Sequence, residues 1–391
     1  MTSDILAPVA LSNHGPHLSP IVAGAWRMGE WGMNVEQRVR WIEQCLDLGI
    51  TSFDHADIYG GYTVETLFGE ALAAQPSLRS RMQLVTKCGI KLVSERRPGH
   101  AIKSYDTSRA HVLASVDESL RAMHTDHIDL LLIHRPDALM DPDELAETFQ
   151  VLRNAGKVMH FGVSNHTPSQ LALLNNRIGL ATNQIELSPL HFNALNDGTL
   201  DQCLDLGIRP MIWSPLAGGR LFKADDEQAQ RVRNALEVLA RQHQVSVSTV
   251  AYAWILRHPS RPVPITGSQR LEALQEAVAA LSLPLAAGLA VVLTALLTER
   301  DALHRFATEW LTPAEMRDGI VLLSVVLIGL PLLPNRPLWG PVLNPQVIGQ
   351  LLALLLALQS LAHLSRRLLQ ARHAVAFSAL ASGFVSSTAT I

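Results

Sequence analysis

The stretch IDLLLIHRPDALMDPDELAETFQVLRNAGKVMHFGVSN, residues 128–165, carries the pattern that decides the fold of this chain. It begins with an apolar run, continues through a segment with apolar residues at helical spacing, and ends in a second short run typical of a strand. Gly156 closes the helical segment, and glycine is the residue that most often follows a helix C-terminus. The stretch therefore predicts a strand–helix–strand unit, from which α/β proteins are built.

The same alternation recurs along the first part of the chain. Strand-like runs lie at 20–24, 50–54, 83–87, 128–134, 160–165, 182–186, 209–214 and 262–266, with amphipathic segments such as 35–49, 107–123 and 142–156 between them. Eight such units over ~260 residues match the usual size of a (β/α)8 TIM barrel. A doubly wound open sheet is the alternative, but it would often place a GxGxxG turn after its first strand, and this motif is absent. We therefore predict a barrel.

Bulk properties exclude several classes of protein. The 391 residues carry a net charge of −3, so a nucleic-acid partner with its broad basic binding face is not expected. The cysteines, Cys45, Cys88 and Cys203, lie far apart and form no CxxC pair or Cys/His cluster, so we predict no metal site. Reduced thiols and an N-terminus without a basic, apolar leader indicate a cytoplasmic domain.

The composition changes near residue 282. Long apolar runs follow at 278–298, 319–334 and 347–364, with a weaker run to the C-terminus. Because a membrane span needs ~20 apolar residues, these runs predict an all-α, membrane-embedded tail of three to four helices. Helices buried in a protein core are the alternative for the shortest run. The predicted division is a barrel over 1–282 and a helical tail over 283–391.

The charges of the tail conflict with a simple topology. If the barrel is cytoplasmic and 278–298 spans, both arginine-rich loops, at 300–317 and 366–372, face outward, against the positive-inside rule. We therefore prefer a first run that lies on the inner membrane or packs locally, which keeps both loops on the cytoplasmic side.

Polar side chains stand at the ends of successive predicted strands. Asp54 ends the second strand and Tyr59 follows in the next loop, while Lys87 and His134 end the third and fourth strands. Taken singly, each has a structural explanation as a cap, a solvated strand end or a packed core residue. Because the C-terminal strand ends of a barrel meet at one mouth, we expect the four side chains to lie together.

This combination suits the protonation of a carbonyl oxygen while a hydride attacks the carbonyl carbon. A free tyrosine is a weak acid with a pKa of ~10, and a neighbouring ammonium lowers that pKa. We therefore expect Lys87 to activate Tyr59 as a general acid. Asp54 would hold Lys87, and His134 would orient the substrate and donate to its carbonyl oxygen.

Five motifs give the chain a family resemblance. FDHADIYGGYTVE, VTKCG, LLIHRPD, GKVMHFGVSNHTP and IWSPLAGGRLF, at 53–65, 85–89, 131–137, 156–168 and 212–222, together resemble the aldo-keto reductase superfamily over residues 17–282. The resemblance implies an NADP(H)-dependent enzyme that reduces aldehydes or ketones. It also implies that Tyr59 is the proton donor and that Asp54, Lys87 and His134 complete a catalytic tetrad.

The resemblance also implies a set of cofactor-binding residues. Ser164, Asn165 and Gln184 would bind the nicotinamide carboxamide, because amides and hydroxyls both donate and accept hydrogen bonds. The further residues are Gly24 and Trp26 beside the nicotinamide ribose, Trp213 stacked on the ring, Ser214, Leu216, Gly218 and Arg220 along the pyrophosphate, and Ser268 and Arg270 at the 2′-phosphate. The adenine segment departs from the family pattern, since its arginine comes one position late and Gln275 and Ala277 replace a Glu-Asn pair.

The tail has a second resemblance. LHRFATEWLTPAEMRDGIVLLSVVLIGLPLLPNRPL, at 303–338, resembles part of an MgtC/SapB-like bacterial membrane protein family. Three functions remain open at this point: a membrane-tethered reductase of small carbonyl compounds, a transport-related protein in which the barrel senses nucleotides, and a poorly folded fusion. The oligomeric state is not predicted.

Overall fold

The computed structural model describes residues 6–283, 317, 344–354 and 356. The chain divides into two compact units, residues 1–298 and 299–391. The predicted boundary between 282 and 283 stays a prediction, because the residues from 284 onward lie almost entirely outside the described part.

Eight parallel strands close into a barrel within the first unit. They are β1 Val22–Gly24, β2 Ser52–Asp54, β3 Gln83–Cys88, β4 Ile128–Ile133, β5 Val158–Ser164, β6 Asn183–Glu186, β7 Met211–Trp213 and β8 Val263–Thr266. Each strand pairs with the next in the chain, and β8 closes the barrel by pairing with β1. The predicted (β/α)8 barrel is confirmed, with every strand within two residues of its predicted bounds.

Helices follow the strands on the outside of the barrel. They are α1 Val35–Asp47, α2 Val64–Ala74, α3 Arg109–Ala122, α4 Pro142–Asn154, α5 Pro168–Asn175, α6 Thr199–Asp205, α7 Arg220–Lys223, α8 Glu227–His243, α9 Val247–Leu256 and α10 Leu271–Ala279. Both α1 and α4 end two residues before a glycine with positive φ, Gly49 at 77° and Gly156 at 70°. Glycine reaches this left-handed conformation without the steric cost that other residues meet.

Two apolar layers hold the barrel together. An inner cluster, which includes Val85, Leu130 and Met211, fills the space between the strands, and a larger cluster lies between strands and helices. A short hairpin, Val9–Ala10 with His17–Leu18, adds Leu18 to the inner cluster. Directly after the first hairpin strand, the Leu11 carbonyl accepts from the Arg209 amide at 2.7 Å, two residues before β7 begins, which places the hairpin at the N-terminal end of the barrel.

Little of the predicted tail is described. Residues 345–354 are helical. Within the described ranges, no helix has the length and apolar character that a membrane crossing requires. The predicted runs at 284–298 and 319–334 and most of the third run beyond residue 354 lie outside these ranges, whereas residues 278–282 belong to the end of α10 and the turn after it.

Candidate active site

The four residues predicted to act together meet at the C-terminal mouth of the barrel. Lys87 Nζ donates to both carboxylate oxygens of Asp54, at 2.9 and 2.8 Å, and to the His55 carbonyl oxygen at 2.7 Å. The same nitrogen lies 3.0 Å from the Tyr59 hydroxyl. His134 approaches the Tyr59 ring edge-on, with the ring centroids 6.0 Å apart. The tetrad geometry expected from the sequence is therefore present.

Burial governs the ionisation of the Tyr59 hydroxyl. Loss of water around the phenol raises its pKa above 10.0, while the Lys87 ammonium acts in the opposite sense. Lys87 therefore acts on the Tyr59 pKa in the expected direction, but the pKa as a whole stays above its ordinary value because desolvation outweighs the ammonium. Tyr59 carries its proton at neutral pH and can donate it.

The Lys87 ammonium stays charged despite its burial. Burial alone would lower the pKa of Lys87, but Asp54 and Tyr59 raise it above its ordinary value of 10.5. Lys87 is only 1% exposed, so its attraction to a phenolate at Tyr59 is weakly screened. Lys87 can therefore stabilise the negative charge that remains on Tyr59 once its proton has left.

His134 is held in its neutral form. Burial and the positive charge of Lys87 lower its pKa well below 6.5. A neutral imidazole has one N–H donor, so His134 can orient a carbonyl oxygen without competing with Tyr59 as the proton source.

A continuous hydrogen-bonded chain joins the predicted carboxamide-binding residues to the tetrad. Trp213 Nε1 donates to Asn165 Oδ1 at 3.0 Å, and Asn165 Nδ2 donates to Ser164 Oγ at 2.7 Å. The Ser164 hydroxyl donates to the Gln184 carbonyl oxygen at 2.9 Å. The Gln184 side chain then donates to Asp54 Oδ1 at 2.8 Å. No sequence pattern indicates this connection, because it depends on how β2, β5, β6 and β7 are arranged around the barrel.

The loop after β7 has the backbone conformation expected where a chain passes close to a ligand. Ser214, Ala217, Gly218 and Gly219 all have positive φ, between 50° and 96°. A Cβ at Gly218 or Gly219 would meet nothing within 4 Å, so the glycines serve the backbone conformation. Arg27, from the loop after β1, donates to the Gly218 carbonyl oxygen at 3.1 Å. The contact links two loops that lie 191 residues apart in the chain.

One cavity of about 990 Å³ unites these groups. Its lining includes Asp54, Tyr59 and His134 together with Gly24, Trp26, Ser164, Asn165, Gln184, Trp213, Ser214, Leu216, Gly218, Ser268 and Arg270. Lys87 lies buried beneath it. Arg220 does not line it, because its guanidinium pairs instead with Asp226 at the start of α8, at 3.3 Å.

The dimensions and donors of the cavity fit a dinucleotide. Its volume is at the upper end of the ~300–1,000 Å³ usual for ligand pockets. Hydroxyl and amide groups suited to a carboxamide lie beside the tetrad, and Ser268 and Arg270 lie between β8 and α10, at the N-terminal end of that helix. Within the described ranges, no group of histidine, cysteine and acidic side chains is arranged to hold a metal ion.

The cavity also has lining residues that were not singled out from the sequence. Arg135 directly follows His134, and Lys103 comes from the loop between β3 and α3. Arg27, Phe222 and Tyr252 line it as well. The sequence could have indicated Arg135 as a lining residue, because it directly follows the predicted fourth strand and residues at C-terminal strand ends of a barrel face the mouth.

Comparison with known proteins agrees with this geometry. The model of the aldo/keto reductase family matches residues 20–288, more than half of the chain. The chain belongs to the aldo/keto reductase family. The match ends near the start of the tail, and the comparisons give no support to the predicted MgtC/SapB-like resemblance.

Two relatives and one solved structure illustrate how similar the chain is to known proteins of this family. Oxidoreductase YdhF of Escherichia coli K12 is 51% identical over 275 residues, which cover 70% of this chain and 91% of YdhF. The 6-dehydroglucose reductase of Agrobacterium fabrum is 43% identical over 267 residues, 68% of this chain and 89% of the relative. The glycerol dehydrogenase AKR11B4 from Gluconobacter oxydans superposes with a TM-score of 0.66 at 25% identity, over 76% of this chain and 96% of the dehydrogenase.

Proposed function

We propose that this aldo/keto reductase uses NADPH to reduce small aldehydes or ketones to alcohols, with Tyr59 as the proton donor. The observation that carries the proposal is the 3.0 Å contact between Lys87 Nζ and the Tyr59 hydroxyl at a cavity lined by the predicted cofactor residues. The relative named 6-dehydroglucose reductase makes sugar aldehydes natural first substrates.

Each part of the tetrad has a separate task in this reaction. When bound, the nicotinamide supplies a hydride to the carbonyl carbon. His134 orients the carbonyl oxygen, and Tyr59 gives that oxygen its hydroxyl proton, so that an alcohol forms. Lys87 holds the resulting phenolate until a proton from water restores the hydroxyl. Asp54 keeps the Lys87 ammonium charged and in place.

Arg270 and Ser268 support a preference for NADPH over NADH. Both line the cavity, and no ion pair with a described residue engages the Arg270 guanidinium. A free guanidinium suits a phosphate group, which it can bind through two parallel N–H donors. Arg220 is a weaker candidate for the pyrophosphate, since Asp226 already pairs with it.

Replacement of the proton donor tests the proposed reaction. Tyr59→Phe removes the hydroxyl and keeps the ring, so steady-state NADPH oxidation with an aldehyde panel should fall at least ~100-fold, the usual contribution of general acid catalysis. Tyr62→Phe is the matched control, because Tyr62 lies in the same loop but its hydroxyl accepts from the Leu92 amide at 2.8 Å. Equal rates for wild type and Tyr59→Phe would contradict the mechanism. NADPH binding without turnover in the wild type would favour a nucleotide-sensing module.

For the tail we propose attachment of a cytoplasmic barrel to the inner membrane. The proposal is supported by the apolar runs in the sequence and by the exposed leucines on the described helical segment, Leu351, Leu352 and Leu354.

A further inference from the structure

Beside the tetrad, the cavity is lined by two cations, Arg135 and Lys103, for which the described residues provide no carboxylate partner. Arg135 and Lys103 both line the cavity that holds Tyr59 and His134. Among the described residues, neither side chain forms an ion pair or a hydrogen bond. The acidic residue nearest to Arg135 in sequence, Asp137, is already engaged, because it accepts from the Thr107 amide and hydroxyl, both at 3.0 Å. Unpaired cations that line a cavity indicate a site for a negatively charged group.

The position of Arg135 places this charge at the reacting end of the cavity. Its guanidinium carbon lies 5.5 Å from the centre of the Trp213 ring, so it extends from the end of β4 toward the end of β7. The half-buried setting strengthens its interaction with an anion relative to a fully solvated arginine. The predicted phosphate-binding residues Ser268 and Arg270 instead follow β8, which leaves Arg135 beside the tetrad.

The charged side chains that lower the pKa of His134 are all positive. After burial, the positive charges of Lys87, Arg135 and Lys103 lower the pKa of this imidazole. Asp54 compensates the charge of Lys87 through two hydrogen bonds. The other acidic side chains of the lining, Glu30 and Glu276, come from the loop after β1 and from α10. A net positive field therefore remains where a substrate would approach His134.

We propose that Arg135, assisted by Lys103, selects carbonyl substrates that carry an anionic group, a carboxylate or a phosphate, near the carbonyl. The inference rests on the proposed carbonyl reduction and specifies its substrate class. Arg135 binds the anion through its planar pair of N–H donors. Lys103 is exposed, so it attracts the anionic substrate through solvent and speeds substrate association. Both residues determine specificity, while the proton still comes from Tyr59.

Matched pairs of substrates test the proposal. Succinic semialdehyde is compared with its methyl ester, and glyceraldehyde phosphate with glyceraldehyde, using kcat/KM with NADPH. We expect the anionic member to be preferred by about tenfold or more in at least one pair, and the pair that responds identifies carboxylate or phosphate as the recognised group. Arg135→Met should reduce that preference about tenfold, mainly through KM, and Lys103→Met by a smaller, salt-sensitive factor. Arg135→Lys, which keeps the charge, should retain part of the preference.

Controls separate this role from a structural one. Arg40→Met removes an exposed arginine of α1 that does not line the cavity, and the substrate preference should stay as in the wild type. Preference for the neutral member in both pairs would overturn the inference. So would an Arg135→Met variant whose kcat/KM falls by the same factor with anionic and with neutral substrates. Absence of NADPH oxidation with both pairs and with the whole aldehyde panel would instead overturn the proposed function, and with it the inference; turnover of panel aldehydes but of neither anionic substrate would overturn the inference alone. Reduction of neutral substrates through Tyr59 without anion preference would leave the proposed function standing and sink the inference alone.

Discussion

The side-chain amide of Gln184 donates to Asp54 Oδ1 at 2.8 Å, across 130 residues of sequence. Asp54 thereby receives three hydrogen bonds, one from Gln184 and two from Lys87. The residue predicted to touch the cofactor is thus in direct contact with the residue that holds Lys87, the lysine proposed to assist Tyr59. Cofactor binding and tetrad geometry are expected to depend on each other through this bond.

Replacement of Gln184 should therefore affect binding and catalysis together. Gln184→Leu leaves one Asp54 oxygen without its amide donor, and we expect NADPH affinity and kcat both to fall, each by about tenfold. Gln184→Glu places a second carboxylate against Asp54, so its activity should be lower still and should recover as the pH falls and the new acid regains a proton.

Affinity for NADPH is measured by fluorescence titration and kcat by NADPH oxidation. Gln202→Leu, on α6 and outside the cavity, is the control. A change in affinity alone would show that the contact does not connect the two functions.

Arg270 should set the choice between the two nicotinamide cofactors. Arg270→Met removes the exposed guanidinium proposed for the 2′-phosphate, and we expect KM for NADPH to rise about tenfold while KM for NADH changes little. Arg40→Met serves as the control for loss of a surface charge. The same increase in KM with both cofactors would place Arg270 elsewhere than at the 2′-phosphate.

Glu65 should make the stability of the barrel depend on pH. Burial raises its pKa from 4.5 to about 7, although the Thr86 hydroxyl donates to it at 2.5 Å. The native state therefore binds this proton more tightly than the unfolded state does. The stability contributed by protonated Glu65 is present below pH ~4.5 and is lost as the pH rises through about 7.

Glu65→Gln mimics the protonated acid and should remove this loss. The free energy of unfolding is measured in urea at about pH 5 and at about pH 8. Between these pH values, we expect the wild type to lose up to about 3 kcal/mol more unfolding free energy than the variant. Glu147→Gln is the control, since the Glu147 side chain is 75% exposed. Parallel pH dependence in wild type and Glu65→Gln would mean that Glu65 titrates normally.

The tail prediction can be tested on the full chain. We expect the expressed protein to sediment with membranes and to resist extraction by high salt, because apolar insertion is insensitive to ionic strength. Leu351→Lys combined with Leu352→Lys places charges on exposed positions of the described helical segment and should shift the protein toward the supernatant. Recovery of the wild-type protein entirely in the supernatant, with full NADPH oxidation, would refute membrane attachment.

The sequence by itself determined the fold class and the tetrad. Alternating β-rich and amphipathic runs predict strands and helices because burial periodicity is local, and Asp54, Lys87 and His134 were found at strand ends because each closes such a run. The motifs of the aldo-keto reductases added the roles of Ser164, Asn165 and Gln184, which lie at the cavity as the resemblance implied.

Only the tertiary structure decided how these residues act on one another. Closure of the barrel brings Gln184 against Asp54 and Arg135 over Trp213, contacts that no spacing along the chain predicts. Burial keeps the pKa of Tyr59 above its ordinary value despite Lys87, and Arg220 pairs with Asp226 and does not line the cavity. Desolvation and pairing depend on which side chains the fold brings within a few ångströms of each other, and that is a property of the closed barrel.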